Sequence, residues 1–260
     1  MGRAIIAGAG ALPGLLLAAG PAHVVRLEGV ASAPLDAPDI PARFEHLGRL
    51  FADLRAGDLR DLVFAGALSR PALDPGQLDA ETAALMPRLV QAMGQGDDAL
   101  LREIAAIFEA QGFRILGALD LRPDLAADAG PICGAPDAAQ EADAARARAV
   151  LDALGPLDVG QAAVAAKGQM IGIETLQGTD TMLRFVGATR PGSGGVLVKR
   201  PKPGQDLRMD TPAIGPDTVM KAAEAGLSGI EIAAGTVLIL DRAATEAACD
   251  ASGMALWAAP

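Results

Sequence analysis

Residues 195–218 read GVLVKRPKPGQDLRMDTPAIGPDT, and this stretch combines a strand, two turns and the start of a helix. The apolar run Val196–Val198 is typical of a buried strand. It leads directly into three cations, Lys199, Arg200 and Lys202, and a proline stands on each side of Lys202. Because a proline-rich segment does not continue a central strand, we expect these cations at the end of the strand.

Three further charged residues follow the turn at Pro203-Gly204: Asp206, Arg208 and Asp210, each two positions from the next. In an extended chain, side chains two positions apart point to the same side, so the spacing predicts one face that carries acid, base and acid. Gly215-Pro216 then marks the start of a helix, because proline is favoured in the first helical turn. The free amides of such a helix start are able to meet an anion.

These residue types suit a phosphate that is bound together with a divalent metal ion. Lys and Arg neutralise phosphate oxygens, while carboxylates hold a hard cation that polarises the phosphoryl group. The alternative is structural, since a charged loop after a strand is more often a solvated connection. The residue types alone leave both interpretations open.

The same stretch resembles the C-terminal domain of the LpxI-type UDP-2,3-diacylglucosamine pyrophosphatases, which carry a GVLVK segment followed by KPGQD and a spaced R, D, P and GP. The similarity continues on both sides and into the N-terminal half, so it covers practically the whole chain. The other matching segments are Asp158–Gln161, Gly178–Asp180, Gly226–Arg242, Ile5–Pro13, Gly48–Leu50, Gly66 with Arg70-Pro71, and Gly96–Asp98 with Leu101-Arg102.

The resemblance implies a Mg²⁺-dependent hydrolase of lipid A biosynthesis that converts UDP-2,3-diacylglucosamine to UMP and lipid X, with Mn²⁺ as a substitute metal. Residue type and matched position make Asp210 the first candidate for holding the metal or activating water, with Lys199 and Arg208 as further catalytic candidates. Asp180 and Asp206 are the other candidate metal ligands. The candidate substrate-binding residues are Gly8, Gly10, Ala11, Leu12, Arg70, Asp98, Thr179, Lys202 and Thr211.

One position departs from the family pattern. Gln177 precedes Gly178-Thr179-Asp180, where the family commonly has glutamate. A metal role for this first position is therefore in doubt, although a glutamine carbonyl oxygen is also able to ligate a metal ion.

Composition and charge exclude several classes of function. The net charge of −10 over 260 residues argues against a nucleic-acid partner and against broad adsorption to anionic lipid. No apolar run reaches the roughly 18 residues that span a bilayer. Glycines and a proline interrupt the apolar N-terminus, so a signal peptide is not predicted. Two cysteines are too few for a disulfide framework, which favours the cytoplasm.

The resemblance implies UDP-2,3-diacylglucosamine as the partner, and the net charge limits any membrane contact to a local one. We expect a cytoplasmic enzyme that is peripheral at the inner membrane and contacts its surface transiently, through the lipid substrate. A homodimer is compatible with the sequence.

The N-terminus predicts a strand at Arg3–Ala7, a glycine turn at Gly8–Pro13 and a second strand at His23–Leu27. Glu28 then lies near the spacing of the ribose-binding acid of dinucleotide folds, so an oxidoreductase with a nucleotide cofactor is one alternative function. Pro13 replaces the third glycine of that motif and argues against it. A non-catalytic binder of a nucleotide-sugar lipid is the other alternative.

Alternating strands and helices predict two small α/β domains, the first of them Rossmann-like with a mostly parallel sheet. The run PICGAP at residues 131–136 contains two prolines and a glycine, and it predicts a short linker between domains at residues 1–132 and 137–260. In the first domain, Asp97 is the predicted cap of a helix in which Arg102 follows Asp98 by one turn.

Overall fold

The computed structural model describes residues 2–68 and 73–260 and separates the chain into two compact units. Unit 1 contains the chain up to Pro123 together with Asp206–Asp210, and unit 2 contains Asp124–Gln205 and Thr211–Pro260. Both units combine helices with a sheet, so the predicted class of two α/β domains is confirmed. No helix within the described residues is long and apolar enough to cross a membrane.

The sheet of unit 1 has five parallel strands in the order β3-β2-β1-β4-β5, which is the strand order of Rossmann-type folds. Their bounds are β1 (Gly2–Ala7), β2 (His23–Leu27), β3 (Asp39–Ala42), β4 (Leu59–Ala65) and β5 (Arg114–Leu116). The central strands are apolar on both faces, as in Ile5-Ile6 of β1, because helices cover a parallel sheet on both sides. The prediction of a Rossmann-like, mostly parallel first domain is confirmed.

The helices of unit 1 are α1 (Leu12–Leu17), α2 (Leu47–Ala56), α3 (Ala80–Met93), α4 (Asp97–Ala110) and α5 (Ala118–Leu121). Phe108 of α4 packs edge-on against Phe51 and Phe64, with ring centroids 5.1 and 5.4 Å apart. These edge-to-face contacts join α2, α4 and β4 in one core. Gly96, with a φ of 118°, is the N-cap of α4, so Asp97 is its first residue and does not cap it.

Unit 2 is built on a six-stranded mixed sheet in the order β6-β13-β11-β9-β7-β8. Its bounds are β6 (Gly130–Cys133), β7 (Ala162–Ala166), β8 (Gln169–Ile173), β9 (Val196–Lys199), β11 (Gly229–Ala233) and β13 (Ala255–Ala259). The strands β13, β11 and β9 are parallel to one another. Strands β6 and β7 run antiparallel to them, and the edge strand β8 runs antiparallel to β7. A separate parallel pair is formed by β10 (Ala213–Ile214) and β12 (Leu238–Ile239).

Four helices complete unit 2: α6 (Ala138–Leu154), α7 (Gly178–Thr189), α8 (Pro216–Glu224) and α9 (Arg242–Ser252). One face of the sheet packs against Ala144, Ala147 and Leu151 of α6. The main core of the unit packs side chains of β9 and β11 with those of α7, α8 and α9. As predicted from its proline, α8 begins at Pro216.

The boundary between the units differs from the predicted linker at residues 131–136. The units divide at Pro123/Asp124, and Gly130–Cys133 forms β6, an edge strand that pairs with β13. Proline is tolerated at the edge of a sheet, because one side of an edge strand needs no ladder hydrogen bonds. Pro131, which contributed to the prediction of a linker, therefore lies in an edge strand.

Candidate functional site

Lys199 is the last residue of β9, and its side chain is buried, with an exposed fraction of 9 %. Leu197 lies two positions before Lys199 in β9 and packs in the core that includes side chains of α7. Because side chains two positions apart in a strand point to the same face, Lys199 lies on the face of the sheet that α7 covers. The Lys199 ammonium donates a hydrogen bond to the hydroxyl of Thr179, with 3.1 Å between Nζ and Oγ1. Strand β9 therefore places the ammonium of Lys199 against the first turn of α7.

The hydroxyl of Thr179 connects Lys199 to a buried carboxylate that the sequence analysis did not single out. Thr179 donates to Oε1 of Glu174 at 2.6 Å, and the Glu174 side chain is 6 % exposed. Oε2 of Glu174 accepts from the backbone amide of Gln161 at 2.9 Å. The result is a directed chain from ammonium through hydroxyl to carboxylate, which we call the Lys199–Thr179–Glu174 chain.

The Lys199–Thr179–Glu174 chain connects two of the charged groups that unit 2 buries, Lys199 and Glu174. An ammonium or carboxylate is expensive to remove from water unless hydrogen bonds and an opposite charge compensate it. The only sequence signal for Glu174 is its place as a single acid directly after the apolar strand β8, five residues before Thr179. The structure brings together Lys199 and Thr179, two of the predicted site residues, and adds Glu174.

Lys202 follows β9 in a loop that packs on the segment before β7. Its ammonium pairs with Asp158, whose backbone has a left-handed φ of 57°. A side chain on Gly155 would collide with the ring of Pro203, so glycine is needed where these two loops meet. Although Asp158 lies in a segment that carries the family resemblance, the sequence assigned it no partner.

Asp180 lies next to Thr179 but faces away from the buried chain. Its carboxylate forms an ion pair with Lys221 of α8, and its side chain is largely exposed. The pair joins the first turn of α7 to the last turn of α8. In this structure, Asp180 thus has a structural partner in addition to its predicted role as a metal ligand.

The segment Asp206–Asp210 packs with unit 1 because Met209 is inserted into the core of that unit. The backbone amides of Met209 and Asp210 donate to the carbonyl of Asp206 at 3.0 and 3.2 Å. These bonds form a helical turn, so the prediction of an extended segment with all three charges on one side is wrong. The carboxylate of Asp206 favours the turn by accepting from the amide of Arg208 at 3.0 Å.

Asp206 and Arg208 form a bidentate ion pair with distances of 2.9 Å (Nε to Oδ1) and 2.7 Å (Nη2 to Oδ2). Arg208 also donates to Oε1 of Glu109, at the end of α4, at 2.7 Å. The Arg208 guanidinium holds the pKa of the Asp206 carboxyl below its ordinary value, because its hydrogen bonds outweigh the opposing effect of burial. Asp206 is therefore ionised at neutral pH.

Asp210 ends the turn, is partly buried, and follows Asp206 by four positions. Residues four apart in a helical turn are neighbours on one face, so the turn places Asp206 and Asp210 on the same side. Thr211, also partly buried, is the first residue after the turn and belongs to unit 2.

A metal ion held by the protein needs several oxygen, nitrogen or sulfur ligands close to one another. Within residues 2–68 and 73–260, no group of three or more His, Cys, Asp or Glu side chains could hold a metal ion. Mg²⁺, however, commonly uses one or two protein carboxylates, and substrate phosphates and water fill its other positions. Asp206 and Asp210, two carboxylates on one turn, match that number of protein ligands, and they are too few to hold a metal by protein ligands alone.

The glycine turn after β1 lies at the point where the strand order of unit 1 reverses, between β1 and β4. Side chains on Gly8 or Gly66 would collide with the opposite loop, and Ala9 and Ala67 exchange backbone hydrogen bonds of 2.9 and 3.0 Å. The amide of Gly8 donates to the carbonyl of Ala65 at 2.7 Å. The loops are thus held together by backbone contacts.

The rest of this turn is open. Gly10 and Ala11 are exposed, Leu12 is partly exposed, and Gly10 has a φ of 95°. The helix α1 that follows has only six residues. Because a dinucleotide site uses the free amides of a longer helix, this geometry argues against the oxidoreductase alternative.

Two other candidate residues belong to unit 1. Asp98 forms an ion pair of 2.9 Å with Arg102 one turn later, and its side chain is mostly covered. This i,i+4 pair also has a structural explanation, because such pairs stabilise a helix. Arg70 lies outside the described residues.

Comparisons with known proteins agree on one family. The family model described as LpxI N-terminal domain matches residues 3–125, and the one described as LpxI C-terminal domain matches residues 128–257. The chain is 39 % identical over 264 residues to the UDP-2,3-diacylglucosamine pyrophosphatase LpxI of Caulobacter vibrioides. This alignment covers 96 % of the chain and 94 % of the relative.

Proposed function

Because this chain belongs to the LpxI family, we propose that it hydrolyses the pyrophosphate bond of UDP-2,3-diacylglucosamine to UMP and 2,3-diacylglucosamine 1-phosphate, the lipid X of lipid A biosynthesis. The observation that carries the proposal is the 39 % identity to a UDP-2,3-diacylglucosamine pyrophosphatase over 96 % of the chain. The cations and carboxylates of residues 195–218 supply chemistry suited to this reaction.

Attack of water on a diphosphate requires neutralised phosphate charge and a water held in line with the leaving group. We assign Lys199, Lys202 and Arg208 to the phosphates, and Asp210 to the water or to the metal. Mg²⁺ or Mn²⁺, when bound by Asp210 and its neighbour Asp206, would supply further neutralisation of the phosphates.

The three cations differ in burial. The side chains of Lys202 and Arg208 are 16 % and 43 % exposed, whereas Lys199 is 9 % exposed. Because a charge acts more strongly where water is excluded, we propose Lys199 as the cation with the largest effect on the phosphates.

Release of UMP from UDP-2,3-diacylglucosamine tests the proposal. We expect the purified protein to release UMP and lipid X in equal amounts when Mg²⁺ is present. Binding of the substrate without release of UMP would favour the non-catalytic binder. Oxidation of NADH or NADPH in place of UMP release would favour the oxidoreductase.

Replacing Lys199 with methionine should lower kcat/KM by about 10²-fold, the scale expected when one preorganised donor to the reacting group is lost. The matched variant is Thr179→Val, which also breaks the Lys199–Thr179–Glu174 chain but keeps the ammonium. Both changes leave a hydrogen-bonding group of the Lys199–Thr179–Glu174 chain without its partner. Each should lower the free energy of unfolding by about 1–3 kcal/mol. Equal losses of kcat/KM in the two variants, at equal Tm, would show that the Lys199 ammonium contributes nothing beyond its hydrogen bond to Thr179.

Membrane association should depend on the lipid substrate and not on protein charge. With a net charge of −10, the ligand-free protein should not adsorb to anionic vesicles through its overall charge. Sedimentation with vesicles, with and without UDP-2,3-diacylglucosamine in the bilayer, measures this. Strong binding of the ligand-free protein to phosphatidylserine vesicles, lost at high salt, would contradict it.

A further inference from the structure

An apolar groove lies between β8, the edge strand of the unit 2 sheet, and the helix α7. Its cavity volume is about 420 Å³, within the usual range of ligand pockets. The apolar part is lined by Met170, Ile171, Ile173, Met182 and Phe185. Among the described residues that line it, none carries a charge.

The groove leaves large apolar side chains in water. Phe185 is 60 % exposed, and Leu176, in the turn between β8 and α7, is 89 % exposed. Gly172 brings the strand close to the helix, because a Cβ there would lie 2.8 Å from Cγ2 of Val186 and 3.0 Å from Cγ of Met182. A contiguous exposed apolar surface of this kind marks a binding site more often than a solvated face.

One end of the groove is polar and adjoins the Lys199–Thr179–Glu174 chain. Thr175, Gln177 and Gly178 line this end, and they belong to the turn that connects Glu174 to Thr179. The groove therefore begins at the turn that leads from Glu174 to Thr179, the hydrogen-bond partner of Lys199, and continues along uncharged, apolar side chains. A ligand with an anionic head and an alkyl tail has the matching distribution of charge.

We propose that this groove binds one acyl chain of the diacylated sugar substrate. The inference rests on the proposed function, which supplies a ligand with two acyl chains and a phosphate. The absence of charge along the lining favours an alkyl chain, which brings no polar group that an apolar wall would leave unsatisfied. A second copy of the chain, pairing through the free edge of β8, is the occupant that the test must exclude.

Phe185→Gln tests the groove, with Met220→Gln as the matched control. Met220 is 49 % exposed on α8 and does not line the groove. We expect Phe185→Gln to raise KM for a long-chain substrate about tenfold, with kcat nearly unchanged, because ground-state binding is lost. Met220→Gln should leave both constants close to those of the original protein.

A substrate series with shortened acyl chains sharpens the test. In the original protein, KM should rise with each methylene that is removed from the groove, by up to about fourfold per buried methylene. In Phe185→Gln this dependence should be weaker. Thr181→Phe, which adds bulk to the lining, should raise KM for substrates with long acyl chains and leave KM for short-chain substrates nearly unchanged.

The outcomes separate this inference from the proposed function. If the original protein releases no UMP from any substrate of the series, the proposed function fails. If UMP is released but Phe185→Gln and Thr181→Phe keep the original dependence of KM on chain length, the groove does not bind the acyl chain. Conversion of a dimer to a monomer by Phe185→Gln, with KM unchanged, would assign the groove to a subunit interface and overturn the inference.

Discussion

Replacing Asp210 with alanine should lower kcat for UMP release by about 10²–10⁴-fold, the loss expected when a positioned acid–base group is removed. Asp210 ends a turn that is anchored by Met209 in the core of unit 1 and closed by the hydrogen bond from its own amide to Asp206. The backbone that carries the carboxylate is therefore held in place, as catalysis requires. Asp210→Asn, which removes the charge and keeps the shape, should show a loss of similar size.

Affinity for the substrate should survive this change. A carboxylate near a diphosphate repels it in the ground state, so its removal relieves repulsion while it abolishes a contribution to the transition state. The dissociation constant of UDP-2,3-diacylglucosamine for Asp210→Ala should therefore equal or fall below that of the original protein. Equilibrium binding measured on the inactive variant checks this.

A purely structural role for Asp210 gives different results. If the carboxylate only stabilised its turn, alanine should cost about 1 kcal/mol of stability and leave kcat nearly unchanged. Asp217→Ala is the matched control, because Asp217 is an exposed acid in the first turn of α8. A lower Tm with near-normal turnover for Asp210→Ala would remove this residue from the proposed site.

Exhaustive chelation with EDTA should abolish UMP release, and Mg²⁺ or Mn²⁺ should restore it. The candidate ligands Asp210 and Asp206 offer only carboxylate oxygens, which hard divalent ions prefer. Measurement of kcat after dialysis against EDTA, and again after each metal is added back, checks this. Full activity after exhaustive chelation would rule out a metal role.

The folded state should not depend on the metal. The two proposed ligands, Asp206 and Asp210, lie in one turn, and no cluster of three or more metal-binding side chains occurs within the described parts of the chain, so metal removal takes away no cross-link between distant segments. Tm should therefore change little on chelation, whereas activity is lost. A large fall in Tm would instead indicate a structural metal and contradict the assignment of the metal to the substrate phosphates.

Local sequence patterns were sufficient to predict the fold class. The apolar run of β9, the alternation of strands and helices in the first half and the proline at the start of α8 depend on residues near one another in the chain. Periodicity and turn residues act at that range, so a single sequence reports them well. They also predicted that Lys199 stands at the end of a buried strand, where the structure places it.

Side-chain pairing and the partition of the chain were decided only in three dimensions. Lys199 meets Glu174 through Thr179 because β9 and α7 pack together, and Asp180 pairs with Lys221 because α7 and α8 do. The spacing of residues along the sequence does not determine these distances between side chains. The turn at 206–210 departs from its extended pattern because burial of Met209 and the Asp206–Arg208 pair stabilise a helical turn. Tertiary packing thus overrides local preference where a short segment of one half of the chain joins the core of the other.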